Sequence, residues 1–384
     1  MRAPYSRIPA LPAAIGLAAG IAVAGAGAAV LFSVAAGAVS AVVLWVWRPG
    51  RFFASAAAAF CFGILLGDVA DKPVAVRYPD ARAPLAESIY ASPLSGPAAA
   101  FAVTTLVADG RYLPQNIRDD FRGAGMAHVL ALSGFHAGVV ALLAMWLTRP
   151  MLLGRSGRRL RVVVVLCAVW GFAWLGGMSA SLMRASVMIS LLLVSRCIGR
   201  YSSPVNSLAV AAIVILLWRP SALYDVGFQL SFAAVAGILA FAGPLNPFDR
   251  REWPRMHYAA SLAAVPVGAT LATAPVVAAV FGAVPLLFLP ANVLVAFVFV
   301  PFYVLALLLA GLSCMGLHVS LLGAVADALY SLMAGGASML SAPAAVALDV
   351  WGVVAAYVFL ALMSLAIKRS RRSFWGTGSD YDSF

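Results

Sequence analysis

Two histidines and a serine lie close together in an otherwise apolar segment, residues 125–136. Ser133 precedes His136 by three positions, a spacing at which side chains meet on one face of a helix. His128 precedes His136 by eight positions, or about two helical turns. The serine–histidine pair could act as nucleophile and base, with Asp225 orienting the imidazole. It could equally form hydrogen bonds between helices or line a polar pore, and the residue types leave all three interpretations open.

A second polar group lies in the segment 176–185, which reads GGMSASLMRA. An ionised side chain near the centre of a bilayer costs at least about 3 kcal/mol, so Arg184 needs a structural or functional reason. Its long side chain could reach out to the membrane interface. Alternatively it could face an aqueous path, where a guanidinium would bind phosphate.

Two further segments combine polar residues with apolar runs. Asp225 precedes an apolar run and is typical of a helix N-cap, whereas Gln229 and Ser231 lie deeper and need hydrogen-bond partners. Asn292 follows Pro290 closely, which indicates a broken helix that lines a cavity. Thr270 and Thr273, by contrast, are expected to bond their own helix backbone.

The composition requires that these residues be placed in a membrane. Of the 384 residues 63% are hydrophobic and 10% are charged, whereas soluble proteins carry about 25% charged residues. Four isolated cysteines and four scattered histidines match no metal-ligand spacing, so we expect no metal and no cofactor. A Walker A motif is absent from the sequence, which excludes ATP hydrolysis by that route.

Apolar stretches long enough to cross a bilayer recur along the chain and predict an all-α polytopic membrane protein with about 10–12 transmembrane helices. Pro290 and Pro301 interrupt the stretch 285–311, so we expect some broken or re-entrant helices. The candidate spans are 11–33, 34–47, 52–67, 124–147, 162–178, 182–198, 205–218, 227–243, 258–281, 285–311, 318–335 and 348–367.

Four regions follow from this pattern. Residues 1–67 form N-terminal transmembrane helices, and residues 68–123 form a short extracytoplasmic linker and interfacial segment, in which the apolar stretch 96–108 lies along the membrane surface. Residues 124–367 form the main transmembrane domain, and residues 368–384 form a polar cytoplasmic tail.

The basic charge supports one orientation of these spans. The net charge is +12, and 18 of the 26 Lys and Arg residues fall on one side under the twelve-span arrangement. Cytoplasmic loops are enriched in such cations, so both termini are predicted to be cytoplasmic and membrane lipids are expected partners. The 18 cations are Arg2, Arg7, Arg48, Arg51, Arg149, Arg155, Arg158, Arg159, Arg161, Arg196, Arg200, Arg250, Arg251, Arg255, Lys368, Arg369, Arg371 and Arg372.

The polar segments together resemble those of a known family. Residues 121–136, FRGAGMAHVLALSGFH, resemble the HLLAxSGxH signature of the ComEC competence protein family, the inner-membrane channel for DNA uptake in natural transformation. Three further segments resemble family elements in the same order: 177–185 its Ser-x-x-Arg-Ala element, 225–232 its D-x-GFQLSF element, and 270–292 its Thr, Phe-Gly and Asn-containing stretch.

This resemblance implies a bacterial inner-membrane channel that passes single-stranded DNA into the cytoplasm. It also implies that the family's signature polar groups surround the membrane interior and form the DNA path, namely His128, Ser133, His136, Arg184, Asp225, Gln229 and Asn292. Longer family members carry an OB-like domain and a metallo-β-lactamase-like nuclease domain. Residues 68–123 are too few for the former, and no stretch matches the latter, so we expect no enzymatic activity.

Under this resemblance a separate DNA receptor, a nuclease and a cytoplasmic helicase-like motor are expected partners. Two other functions remain open from the residues alone. A transporter for a small anionic solute would need similar polar residues near the membrane midplane. An intramembrane hydrolase would use Ser133 and His136, although no oxyanion-hole loop is recognisable.

Overall fold

The computed structural model describes residues 10–25, 82–152, 154–199, 203–246, 248, 252–285, 287–341 and 345–347. Within these ranges the chain is helical, apart from one short antiparallel pairing of β1, Ala283–Pro285, with β2, Ala345–Ala347. This confirms the all-α polytopic class. The predicted spans 34–47, 52–67 and 348–367 and the tail 368–384 lie outside the described residues, so the number of spans stays a prediction.

Thirteen helices are described within those ranges. They are α1 Ala10–Gly25, α2 Arg82–Tyr90, α3 Gly96–Val107, α4 Gln115–Gly123, α5 Ala127–Leu130, α6 Gly134–Leu147, α7 Gly154–Leu175, α8 Ala180–Cys197, α9 Pro204–Trp218, α10 Val226–Leu245, α11 Pro254–Phe281, α12 Phe288–Cys314 and α13 Ser320–Leu340. Short 3₁₀ turns at Arg149–Leu152 and Pro220–Tyr224 join α6 to α7 and α9 to α10.

Five of these helices, α8 and α10 to α13, are long and apolar enough to cross a membrane. Short turns connect successive helices from α6 to α10, and each of the pairs α6–α7, α7–α8 and α8–α9 packs side by side, so these neighbours run antiparallel. The arginine-bearing turns after α6 and α8 therefore lie at one end of the bundle. The turns before α6, α8 and α10, which carry the polar segments, lie at the other end, called here the motif end.

The N-terminal helix follows the same arrangement. The backbone N–H of Ala10 donates to Oδ1 of Asn206 at 3.0 Å, near the start of α9. At the other end of α1, the hydroxyl of Tyr224 donates to the carbonyl of Ile21 at 3.0 Å. Helix α1 therefore begins at the arginine-rich end of the bundle and runs toward the motif end.

Helix α12 is continuous, contrary to the expectation that Pro290 and Pro301 break it. Pro290 lies in the first turn of the helix, where a backbone N–H has no intrahelical acceptor in any case. The helix widens to a π-helix at Val295–Phe299, directly before Pro301. Such a π-turn removes the need for the N–H that proline lacks, so the helix continues to Cys314. A similar π-helical turn, Ile238–Ala242, precedes Pro244 in α10.

A break occurs instead in the predicted span 124–147. Helix α5 ends at Leu130, and Ala131 adopts an extended conformation before α6 begins at Gly134. Gly125 has a left-handed φ of 78° and packs against Phe288 and Pro285 of the segment that opens α12. The interruption exposes backbone groups at the motif end, where side chains can bind them.

Residues 82–107 form a helical hairpin, the α2–α3 hairpin, that penetrates the bundle. At its start, Nε of Arg82 donates to the carbonyl of Leu175, at the motif end of α7. At its turn, the N–H and Oγ of Ser95 each donate to the carboxylate of Asp327 on α13 at 2.9 Å. The turn of the hairpin packs closely against α13 at Gly323, where an added methyl would collide with the carbonyl of Pro93.

The expectation that 96–108 lies along the membrane interface is therefore wrong. Helix α3 is buried from Ala98 to Val107, and Phe101 is 0% exposed. It packs in the main hydrophobic core with Phe121 of α4, Phe299 and Phe302 of α12, and Tyr330 of α13. A helix that is apolar on every face is a core helix, because no polar face remains for the interface.

Candidate functional site

The predicted serine–histidine pair forms the N-terminal cap of α6. Oγ of Ser133 lies 2.9 Å from Nδ1 of His136, and the backbone N–H of Ser133 donates to the same nitrogen at 3.2 Å. The N–H of Phe135 donates to Oγ of Ser133 at 3.3 Å, which completes a capping box. Because Nδ1 accepts these bonds, the neutral imidazole carries its proton on Nε2.

The far side of the imidazole is enclosed by aromatic rings. His136 is 0% exposed, and its ring centroid lies 5.1 Å from those of both Phe299 and Tyr303, at interplanar angles of 73° and 76°. Nε2 of His136 has no hydrogen-bond partner among the described residues. A catalytic base needs an orienting group and access to substrate, and these edge-to-face contacts provide neither.

Ser181 joins three helices at the motif end. Its Oγ accepts a hydrogen bond from the backbone N–H of Gly134 on α6 at 3.2 Å. It also accepts one from Oγ of Ser231 on α10 at 3.0 Å. Ser179, two residues before, caps α8 through the N–H of Leu182. The first three polar segments of the sequence therefore meet around a single hydroxyl.

Arg184 lies next to this hydroxyl and is 8% exposed. Its Nη1 donates to the carbonyl of Ser231 at 2.7 Å, and its Nε is buried without a partner. Its Nη2 lies over Gly134, where an added Cβ would approach it to 2.5 Å, so only glycine leaves room for the guanidinium. The side chain thus lies between α6 and α10, within the bundle.

No carboxylate neutralises this guanidinium in the described part of the chain. The ion pairs found there are Arg111 with Asp109 at 2.7 Å and Arg122 with Asp119 at 3.7 Å, both in the segment between α3 and α5. A partly buried cluster with one uncompensated positive charge therefore lies at the motif end, with His136 and Arg184 as its buried members. This cluster, called here the polar cluster, comprises Ser133, Gly134, His136, Ser181, Arg184 and Ser231.

The other predicted site residues make local contacts outside the polar cluster. Asp225 caps α10 by accepting from the N–H of Gly227 at 2.9 Å, and Nε2 of Gln229 donates to the carbonyl of Leu223 at 3.0 Å. Nδ2 of Asn292 donates to the carbonyl of Phe288 at 2.7 Å, within its own helix. His128 is exposed on α5. Thr273 bonds the carbonyl of Ala269, as expected.

The predicted DNA-path residues omit Gly134, Ser181 and Ser231 of the polar cluster. They also omit Tyr303, which contacts His136, and Asp327, which binds the hairpin turn outside the cluster. The Ser179–Ser181 pattern before Arg184 is a weak signal for Ser181, because small hydroxyl residues are common at helix starts. Tyr303 lies in a continuous apolar run, and its contact with His136 depends on tertiary packing alone. Asp327 is an acid seven residues into α13. A charged residue within an apolar run identified Arg184, and the same pattern could have identified Asp327.

The short loop between α3 and α4 carries its own charge pair. Nε of Arg111 donates to Oδ1 of Asp109 at 2.9 Å, and this side-chain hydrogen bond, together with the attraction of the guanidinium, lowers the pKa of that carboxyl. Asp109 raises the pKa of Arg111 in turn. Groups of three or more His, Cys, Asp or Glu residues that could hold a metal ion are absent from the described ranges.

Three curated proteins are similar in sequence to this chain. The chain is 30% identical over 207 residues to the uncharacterized protein YcaI of Escherichia coli, which covers 52% of this chain and 27% of the relative. It is 33% identical over 171 residues to competence protein ComA of Neisseria gonorrhoeae, covering 43% and 25%. It is 27% identical over 127 residues to ComE operon protein 3 of Bacillus subtilis, covering 33% and 16%.

The chain thus spans about a quarter or less of the length of these curated relatives. No solved structure gives a significant match. The family model described as "Competence protein" matches residues 105–370, a range that contains the whole polar cluster and more than half of the sequence. This chain belongs to the competence protein family.

Proposed function

We propose that the chain is a bacterial inner-membrane channel domain that passes single-stranded DNA during natural transformation. The observation that carries the proposal is the buried guanidinium of Arg184, which lies between three helices of a competence-family domain, with no carboxylate beside it among the described residues. The names of two relatives, competence protein ComA and ComE operon protein 3, support a role in DNA uptake.

The chemistry of the polar cluster suits a sugar–phosphate backbone. Each nucleotide brings one negative charge, which a guanidinium binds through charge-assisted hydrogen bonds. The hydroxyl of Ser181 accepts both of its hydrogen bonds, so its proton offers a further donor that does not discriminate among bases. A path of this kind would accept any sequence, because phosphate contacts carry no base information.

We place both termini and the arginine-rich helix ends in the cytoplasm, following the distribution of cations. The motif end then faces the outside, and an incoming strand meets the polar cluster early in its passage. Anionic lipid headgroups at the cytoplasmic surface would bind the exposed arginines of the opposite end, among them Arg149 and Arg158.

The membrane domain needs partners under this proposal. Nothing in the polar cluster can hydrolyse DNA or drive a strand in one direction, so a separate DNA receptor, a nuclease and a cytoplasmic helicase-like motor would act with it. A hydrolase that uses Ser133 and His136 is disfavoured by geometry, because the imidazole is fully buried and caps its own helix. We therefore propose no enzymatic activity for this domain.

A transporter for a small anionic solute is the second candidate. One observation favours it: a single buried guanidinium binds a lone anion as well as one phosphate of a polymer. The two functions differ in the size of what crosses the membrane, so an experiment that offers both substrates separates them.

The proposal is tested with the purified full chain in planar lipid bilayers, where an applied voltage replaces the motor. We expect single-stranded oligonucleotides to interrupt the ionic current and to reach the far chamber, where amplification detects them. Duplex DNA of the same length should be excluded. Passage of radiolabelled phosphate without any passage of single strands would instead establish the small-anion transporter.

A further inference from the structure

The uncompensated charge of Arg184 persists when no DNA strand is present. Arginine remains protonated in proteins, so the charge cannot be removed by loss of a proton. One of its nitrogens bonds the carbonyl of Ser231, whereas its Nε is buried with no partner. The charge of an arginine that is 8% exposed and bonded in this way would be costly without a counter-charge.

The titratable groups on the adjoining elements do not supply that counter-charge. On α6, His136 is enclosed by aromatic rings and carries no negative charge. On α10, Asp225 caps its own helix through the N–H of Gly227. On α8 itself, the described titratable residues besides Arg184 are Arg196 and Cys197, at the opposite end of the helix.

The surroundings of the guanidinium favour an anion instead. The N-termini of α6 and α8 both open at the polar cluster, with Ser133 and Ser179 as their N-caps. Each N-terminus adds a partial positive charge to that of Arg184. These two helices have 14 and 18 residues, long enough for their dipoles to contribute.

We infer that a phosphate-type oxyanion occupies the Arg184 guanidinium when the channel is at rest. A tetrahedral oxyanion matches the planar fork of a guanidinium, which forms paired hydrogen bonds to two oxygens. Displacement of this oxyanion by a strand rests on the proposed function, whereas the resting occupancy rests on the buried charge and on the two helix N-termini beside it.

An exchange of this kind has a functional consequence. An incoming strand replaces one phosphate by another at the same nitrogens, so the guanidinium is never left without a partner. Anions that bind Arg184 tightly should therefore compete with single-stranded DNA, and those that bind weakly should not.

The occupancy is tested by thermal unfolding of the delipidated full chain in detergent, with sodium phosphate titrated against sodium gluconate at constant ionic strength. We expect phosphate to raise the unfolding midpoint saturably by about 2–5 °C. Arg184→Gln should abolish the dependence, and Arg184→Lys should retain part of it. Arg122→Gln, which removes an exposed arginine of α4, should respond like the wild-type protein.

Two results would overturn the inference: a wild-type midpoint that does not respond to phosphate, or an equal response in Arg184→Gln. Size-exclusion chromatography shows whether each variant is folded, and Arg184→Lys keeps the test valid if the glutamine variant is not. A second arm adds phosphatidylglycerol vesicles in place of phosphate, and an Arg184-dependent response to these alone would overturn the assignment to a free ion.

The same variants separate this inference from the proposed function. A further titration adds a thymidine dinucleotide in the presence of phosphate. If phosphate stabilises the wild-type protein through Arg184 while the dinucleotide fails to compete with it, the anion site stands and the DNA path through it fails. If single strands cross the bilayer without any phosphate response, the proposed function stands and the resting anion is wrong.

Discussion

The side chain of Arg184 shows how one buried residue can constrain the function of a membrane protein. A buried charge that is left without its partner destabilises a protein by about 3–5 kcal/mol. The guanidinium of Arg184 donates a hydrogen bond to one carbonyl, that of Ser231, at 2.7 Å. A bound ligand explains the buried charge of Arg184 more readily than packing does.

Ser181 is predicted to position the polar cluster. Ser181→Ala leaves the N–H of Gly134 without its acceptor and the hydroxyl of Ser231 without a partner. We expect a loss of about 1–3 kcal/mol in unfolding free energy, because unsatisfied buried groups keep their desolvation cost. Denaturant unfolding measures the change. The control is Ser195→Ala on the same helix, since Oγ of Ser195 bonds only its own turn and its loss should be nearly neutral.

Ser133 is predicted to act as a helix cap and not as a nucleophile. Ser133→Ala should cost about 1 kcal/mol of stability, since the N–H of Phe135 loses its acceptor. Ser133→Asn restores an acceptor without supplying a nucleophile, and should recover both stability and strand passage. Loss of passage in a stable Ser133→Asn variant would favour the hydrolase interpretation.

At the residue scale the sequence predicted part of the site. It identified Ser133, His136 and Arg184, because polar groups in apolar runs are conspicuous. It also included Asp225, Gln229 and Asn292, which bond their own segments. Whether a polar side chain serves its own helix or a neighbouring one depends on rotation about the helix axis, and the spacing of isolated polar residues does not determine that rotation.

Among the elements, α12 shows why helix breaks are hard to predict. Proline removes one backbone donor, and a break was expected at Pro290 and Pro301. The chain instead inserts a π-turn before Pro301 and keeps its direction. The actual break, at Ala131–Ser133, contains no proline and ends at the Ser133 cap, and the left-handed Gly125 lies just before the short helix α5 that precedes it. Caps and glycines therefore indicated this interruption better than prolines did.

Close packing of α10 against α11 depends on Gly237. An added methyl there would collide with the carbonyl of Gly268 and with Cβ of Ala272. Gly237→Ala should therefore destabilise the protein by about 1–3 kcal/mol through overpacking, measured by denaturant unfolding. Gly171→Ala on α7 has nothing within 4 Å and should be neutral or stabilising by up to about 1 kcal/mol. Equal effects at the two positions would contradict the close packing.

The loop between α3 and α4 should be sensitive to acid. Because the pKa of Asp109 is lowered in the folded protein, its contribution is present above the ordinary value of 3.8 and is lost as the pH falls through the lowered value. At residues 108–113 the protection of the backbone amides against hydrogen exchange, relative to an unfolded chain at the same pH, should therefore fall below about pH 4. Arg111→Gln should remove this dependence; an unchanged profile in that variant would show that the ion pair does not hold the loop.

For the whole molecule, composition alone predicted the architecture. A chain with 63% hydrophobic residues has no soluble fold available to it, and five candidate spans are described. The burial of the α2–α3 hairpin was not predictable in the same way. A short apolar helix has the same composition whether it lies on a membrane or within a bundle, and only its contacts with α12 and α13 distinguish the two.

The orientation of the bundle in the membrane is predicted from the different numbers of cations at its two ends. In a background with the native cysteines replaced by serine, Ser156→Cys lies at the arginine-rich end and Asn116→Cys in α4, between the α2–α3 hairpin and α5; both residues are exposed. A membrane-impermeant maleimide added to intact spheroplasts should label position 116 and should label position 156 only after lysis. The reverse pattern would invert the proposed topology.

The central claim is that a single strand passes the polar cluster, and cross-linking tests it most directly. Phe135→p-benzoylphenylalanine places a photoreactive group beside His136, at a position that is 44% exposed. The same change at Trp174, which is 49% exposed on α7, is the matched control. An oligonucleotide drawn into proteoliposomes by a membrane potential and stalled by terminal streptavidin should cross-link at position 135 and far less at position 174. Equal yields at the two positions, or none at position 135 while strands still cross, would contradict the account.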